Sequence, residues 1–249
     1  MMGLEVEFWI IASISILIAG ISKSGFAGGI GVITVPLLAL QVGLIKATAI
    51  MFPILMVMDA LSVRAWRGKQ LNGLLRLLFP GAVIGIFIGY LLFDYLNEQI
   101  LSILLGGFSI GFAVWGLLKG QRLKAEPKSW LGRICGTVAG FTSFLAHAGA
   151  PPLNFYLLPL KLPRENFLAT SVVFAASVNL VKVIPYTLLG QINMNNLLIA
   201  TVLLPVGCLG VWLGLNIHHR FNERVFNNTI LLMLILVGGK LTFDGYLGL

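Results

Sequence analysis

Residues 20–31 read Gly-Ile-Ser-Lys-Ser-Gly-Phe-Ala-Gly-Gly-Ile-Gly, and this stretch decides the fold. Apolar sequence runs on both sides, over 8–19 and 32–45, with Lys23 inside the break. A glycine-rich interruption carrying one lysine is poor helix and poor loop. In lipid, opened backbone is tolerated only where it is buried in protein or lines a cavity. An ammonium is tolerated where it faces water, an acid or an anionic ligand. The stretch therefore implies opened backbone at membrane depth, offering amide donors and a positive charge to an anion.

Composition supplies the surroundings. The chain of 249 residues is 58% hydrophobic and 10% charged, against about 25% charged for ordinary soluble domains. A soluble fold of this length has no room to hide so much apolar surface. The chain reads as an all-α polytopic membrane protein, with the lipid bilayer as its first partner. The net charge of +8 does not point to nucleic acid. The basic residues cluster in short loops between apolar spans, as positive-inside anchoring requires. Cys135 and Cys208 lie in apolar segments, and two lone thiols imply neither a disulfide nor a metal site. No cofactor is expected. The start, Met-Met-Gly-Leu-Glu-Val-Glu, lacks the basic region of a cleaved signal peptide.

A full span needs about 20 apolar residues. Segments near that length are 47–63, 77–93, 99–118, 167–188, 197–217 and 225–243. Two regions differ. Segments 8–22 and 32–45 flank the break and are each about 15 residues, or about 22 Å of helix, short of a roughly 30 Å core. Segments 131–145 and 152–161 repeat this around Ala146-His147-Ala148-Gly149-Ala150-Pro151-Pro152. Both regions read as re-entrant or broken hairpins with tips near mid-membrane. The alternative is two ordinary spans joined by a short loop.

The halves match in order. Pro80, Gly85 and Gly89 repeat as Pro205, Gly210 and Gly214, and Asn97-Glu98 as Asn222-Glu223, all at an offset of 125. Gly68 repeats as Gly190, and Ala47-Thr48-Ala49 as Ala169-Thr170-Ser171, at 122; Gly20 repeats as Gly140 at 120. The chain reads as a first transmembrane repeat over 1–120, a cytoplasmic linker at 121–127 and a second repeat over 128–249. Each repeat is a hairpin followed by three transmembrane helices.

Charge orients the repeats. Placing the loops 64–76, 119–133, 161–165 and 218–224 inside leaves only Lys23, Lys46, Lys182 and Lys240 outside them, so 13 of the 17 basic residues are cytoplasmic. Equivalent loops at 64–76 and 190–196 then fall on opposite sides, and the repeats are inverted. Inverted repeats of broken helices meeting at mid-membrane are an architecture of secondary transporters.

Lys23 is the leading site residue. Ser22, Ser24, Gly25, Gly28 and Gly29 surround it with hydroxyl and amide donors, and glycine lets backbone approach a ligand closely. The other reading is a lysine snorkelling to the edge of an ordinary loop. The second tip offers Thr142, Ser143, His147, Gly149 and Asn154. His147 follows Gly140 by seven residues, as Ala27 follows Gly20. It can donate a hydrogen bond, relay a proton, or simply bond a carbonyl. Asp59 and Lys182 occupy nearly equivalent repeat positions. Three readings stay open: a mutual ion pair; Asp59 as proton carrier with Lys182 as second anion contact; or Asp59 as a structural partner of Arg64. Asn179 and Tyr186 share the helical face of Lys182. Glycines at 81–89 and 210–214 read as helix-packing positions. No Walker motif, metal cluster or carboxylate pair is present, so an enzyme is not expected.

The run Gly20-Ile-Ser-Lys-Ser-Gly-Phe-Ala-Gly-Gly-Ile-Gly-Val-Ile-Thr-Val-Pro-Leu-Leu38 resembles the N-terminal signature of the TauE/SafE sulfite exporter family, also called the toluene sulfonate uptake permease family. Its second-half echo runs from Gly140-Phe-Thr-Ser through Ala-His-Ala-Gly-Ala-Pro-Pro to Ala169-Thr170-Ser171. The resemblance covers nearly the whole chain. It implies transport of sulfite or sulfonates such as sulfoacetate across the inner membrane, often outward, and places Lys23 and its glycines at the substrate site. The residues alone point only to a small anionic substrate. An anion channel, and an uptake permease for another small organic anion, remain the rival readings.

Overall fold

The computed structural model describes residues 6–93, 95, 99–100, 103, 106–107, 110–111, 113–114, 117, 128–217 and 223–247. These residues form helices and connecting turns, with no strand among them. In the first half, α1 (Val6–Gly25) is followed by a turn, a 3-10 segment (Ile30–Ile33), α2 (Thr34–Val42), α3 (Leu44–Ala65) and α4 (Asn72–Leu92). The second half contains α5 (Ser129–Ala146), α6 (Ala150–Leu157), a 3-10 turn (Leu158–Leu160), α7 (Arg164–Leu188), α8 (Met194–Ile217) and α9 (Glu223–Leu247). The expected span at 99–118 is described only at scattered positions. The expected linker at 121–127, Asn97-Glu98 and the loop at 218–222 lie outside the described residues.

Among the described residues, α1, α3, α4, α7 and α8 are each long and apolar enough to cross a membrane. The chain is a multi-pass all-α membrane protein. Its lipid-facing surface carries exposed Ile10, Ile14, Ile84, Phe87, Leu91, Ile184 and Trp212.

The hairpins differ from expectation in one respect. The sequence predicts arms of similar length for the first hairpin and a shorter second arm for the second, but each hairpin has one long arm and one short arm. Helix α1 has 20 residues and α2 has 9, or about 30 Å and 14 Å. Helix α5 has 18 residues and α6 has 8, or about 27 Å and 12 Å. The reason lies in Gly20 and Gly25, predicted as opened backbone but helical in the structure. They stay helical because they are contact points. A methyl on Gly20 would stand 2.8 Å from the Gly207 carbonyl and from the Gly210 backbone of α8, and one on Gly25 would meet Gly214. Small residues at crossings let membrane helices approach closely. The break is thus confined to Phe26–Gly29, and Lys23 sits in the last turn of α1 rather than in open backbone.

Packing crosses between the halves. Helix α1 packs on α8, and α5 packs on α4. A methyl on Gly140 of α5 would meet the Ala82 carbonyl of α4. The glycines of 81–89 and 210–214 accordingly pack helices, as their spacing suggested. Pro80 and Pro205 both sit inside helices, and Gly68 and Gly190 both take positive φ, +84 and +66 degrees. One core gathers Ile16, Leu38, Ile50, Met58 and Leu203 around α1, α2, α3 and α8. The other gathers Leu78, Phe144, Leu157, Phe174 and Tyr186 around α4, α5, α6 and α7. Both hairpin tips belong to this second core, through Phe26 and Ala27 and through Ala146 and Ala148.

Candidate functional site

Both tips are built on the same backbone device. Each long arm ends at a residue forced into the left-handed region, Ala27 at φ +49 and His147 at φ +52, 120 positions apart. Each tip is closed by an amide reaching six residues back: Gly28 N–H to the Ser22 carbonyl at 3.0 Å, and Ala148 N–H to the Thr142 carbonyl at 3.2 Å. Such bonds satisfy helix-end carbonyls that would otherwise be stranded in an apolar interior. A side chain from a neighbouring helix then clamps each end. Trp66 Nε1–H donates to the Ser24 carbonyl at 3.1 Å, and the Tyr186 hydroxyl donates to the Phe144 carbonyl at 2.7 Å. Every one of these five pairs of corresponding residues obeys the offset of 120.

The charged groups follow. Lys23 Nζ lies 2.7 Å from Asp59 Oδ1 of α3. Asn179 Nδ2 of α7 donates to Asp59 Oδ2 at 2.6 Å. Asp59 is 3% exposed, so its partner is Lys23 rather than Lys182 or Arg64. The helix register explains this: α3 runs to Ala65, which leaves Arg64 exposed at its end while Asp59 turns inward.

Lys182 is fully buried and makes a different set of contacts. Its Nζ donates to the Ser143 carbonyl at 2.8 Å and to Ser143 Oγ at 3.2 Å, and lies 2.8 Å from His147 Nδ1. It stands 5.6 Å from the centre of the Phe52 ring and 5.5 Å from that of Tyr186. Ring faces stabilise a cation, as do the end carbonyls of a helix. An ammonium donating to Nδ1 fixes His147 as the neutral tautomer with its proton on Nε2. That N–H then donates to the Thr48 carbonyl, 3.1 Å away.

A cavity of about 80 Å³ opens between the tips. One water needs about 10–15 Å³ on this measure, so the space suits several waters or one small oxyanion. Lys23, Gly28, Ser143, His147, Gly149 and Asn179 line it. The remaining candidates stand behind the wall. Ser22 Oγ accepts from Gly31 N–H at 2.6 Å, and Ser24 Oγ donates to the Gly20 and Val211 carbonyls. Thr142 Oγ1 bonds the Ala148 carbonyl. Gly25 packs on α8 and Gly29 N–H bonds the Phe26 carbonyl. Asn154 is fully buried, its amide without a protein partner. Asp59 and Lys182 back Lys23 and His147.

Sequence reasoning missed two polar lining residues, Thr34 and Ser171. Both had a signal. Thr34 is the position 120 before Asn154. Ser171 lies two helical steps of four before Asn179, on the same face of α7, and the residue between, Ala175, also lines the cavity.

The formal charges, two lysines against one carboxylate, do not balance. With both lysines and Asp59 ionised, the cluster carries one excess positive charge at membrane depth. Such a charge calls for an anionic partner.

The family model described as sulfite exporter TauE/SafE matches residues 12–241. No curated protein and no solved structure matches the chain.

Proposed function

The chain belongs to the sulfite exporter TauE/SafE family, and on that premise we propose that it is a secondary transporter exporting small sulfur-containing anions, sulfite or sulfonates such as sulfoacetate, across the inner membrane. One observation carries the reading beyond the family: a small cavity between two hairpin tips, lined by Lys23 and backed by a second lysine and a single carboxylate. The anion sits against Lys23, with Asn179 and tip amides beside it. The work is movement, with no bond made or broken.

Alternating access comes from two inverted repeats. The interlocked pairs α1–α8 and α4–α5 move as units around the site, as broken-helix transporters do. An inside-negative potential favours export of a monovalent anion by about 2.3 kcal/mol per charge per 100 mV.

The test is sulfite and sulfoacetate flux in proteoliposomes, with wild type beside Lys23→Ala and Lys23→Arg. Saturable flux that disappears in Lys23→Ala is the expected result. Flux unchanged by both substitutions removes Lys23 from the site. Flux that never saturates and shows no counter-transport makes the protein a channel.

A further inference from the structure

The hydroxyl of Ser171 separates it from the other hydroxyls of its own helix. Ser177 and Thr187 of α7 each donate to the carbonyl four residues back, at 2.8 Å. This is the ordinary way a membrane helix satisfies a serine or threonine. Thr170, the neighbour in sequence, accepts the Leu71 amide at 3.0 Å. Ser171 Oγ does neither. It is buried, with the residue 3% exposed, and no protein group pairs with it. Ser15 and Ser62 are also buried with unpaired hydroxyls, but they do not line the cavity. Ser171 does, on the same wall as Asn179 and in the same cavity as Lys23.

A buried hydroxyl left unpaired is unfavourable, and the cost is removed when a partner arrives. The rest of that stretch of wall is apolar, with Val172, Phe174 and Val178. An oxygen atom of a ligand held at Lys23 is the partner that both the position and the chemistry allow. We infer that Ser171 is a substrate-binding residue whose hydroxyl donates a hydrogen bond to an oxygen of the bound oxyanion. The inference rests on the transporter reading and adds a contact to its site. Lys23 supplies charge without direction. The serine hydroxyl fixes one oxygen of the anion and so helps orient it within the cavity.

The experiment compares full-length wild type, Ser171→Ala and Lys23→Ala in two assays. The first is sulfite flux against concentration in proteoliposomes. The second is thermal unfolding in detergent, with and without sulfite. A hydrogen bond to a charged ligand corresponds to about a tenfold change in affinity. Ser171→Ala should raise the half-saturating concentration by about that factor and keep the maximal rate. Its unfolding temperature without sulfite should not fall, because no bond within the protein is lost. The rise in unfolding temperature caused by sulfite should shrink, since stabilisation follows affinity. A lower ligand-free unfolding temperature would assign Ser171 a structural role and overturn the inference. So would half-saturation equal to wild type while Lys23→Ala loses flux, and the transporter reading would then stand without Ser171. A wild type that neither moves sulfite or sulfoacetate nor is stabilised by them overturns the transporter reading and this contact together.

Discussion

The two hairpin tips share a scaffold and differ in charge. In the first, the cation belongs to the long arm itself: Lys23 of α1, neutralised by Asp59 of α3. At the corresponding position of the second tip, 120 residues on, stands Ser143. Its cation arrives from α7 as Lys182, whose Nζ reaches the Ser143 carbonyl and hydroxyl. No carboxylate lies within ion-pair distance of Lys182 among the described residues; a carbonyl, a hydroxyl, an imidazole and two ring faces hold it. Asp59 itself has Asn179 at the matching position, and the two are hydrogen-bonded. The first tip therefore brings Lys23 to the cavity with Asp59 paired behind it, and the second brings Ser143 and His147 with Lys182 behind them. Backbone closure and clamp repeat from half to half, whereas the charges do not.

Removing the one acid is the strongest way to break this contrast. Asp59→Ala leaves Lys23 buried without its counter-charge, beside a second cation. Loss of one partner of a buried pair costs about 3–5 kcal/mol, so a marked fall in unfolding temperature is expected. The double variant Lys23→Ala with Asp59→Ala should recover most of that loss, because the stranded charge is gone. If the double variant is no more stable than Asp59→Ala, the ion pair is not what Asp59 contributes.

Removing the second cation is the next largest change. Lys182→Met keeps volume and length but takes away the charge and three polar contacts. Sulfite flux should fall by about a hundredfold, the scale of one buried charge interaction. The protein should still elute as a folded species on size exclusion. Wild-type flux in Lys182→Met would reduce the site to the first tip alone, and the division of charge between the halves would lose its meaning.

Much of this was legible in the sequence. The spans at 47–63, 77–93, 167–188 and 197–217 follow from apolar length, and the matching order of Gly85 and Gly210, or Gly20 and Gly140, marks positions where helices pack closely. Lys23, His147, Asn179 and Ser143 were recognisable because polar residues at membrane depth are few. Two features were not legible. Glycine marks both opened backbone and close helix crossings, so Gly20 and Gly25 read as break although they pack on α8. Partner choice was also hidden. Asp59, Lys23 and Lys182 are far apart in the chain, and which lysine meets the acid depends on crossings that periodicity does not specify. Ser171 was overlooked because a serine in a membrane helix ordinarily bonds its own backbone, and only the fold reveals that this one does not.

The smallest expected effects sharpen the comparison by testing what the tips share. Trp66→Phe and Tyr186→Phe each delete one donor to a helix-end carbonyl and leave an aromatic ring in place. Each should cost about 1 kcal/mol of stability, read as a small and similar fall in unfolding temperature. Their consequences for transport should differ. Tyr186 also touches the groups behind the second tip: its ring lies 4.5 Å from that of Phe52 and near Lys182 Nζ. Trp66 clamps a tip whose charge is already paired. Tyr186→Phe should therefore weaken sulfite flux more than Trp66→Phe at equal loss of stability, measured as initial rates at one subsaturating concentration. Equal losses of flux would mean that the two clamps are only scaffold, and that the asymmetry of the tips is confined to Lys23, Asp59, Lys182 and His147.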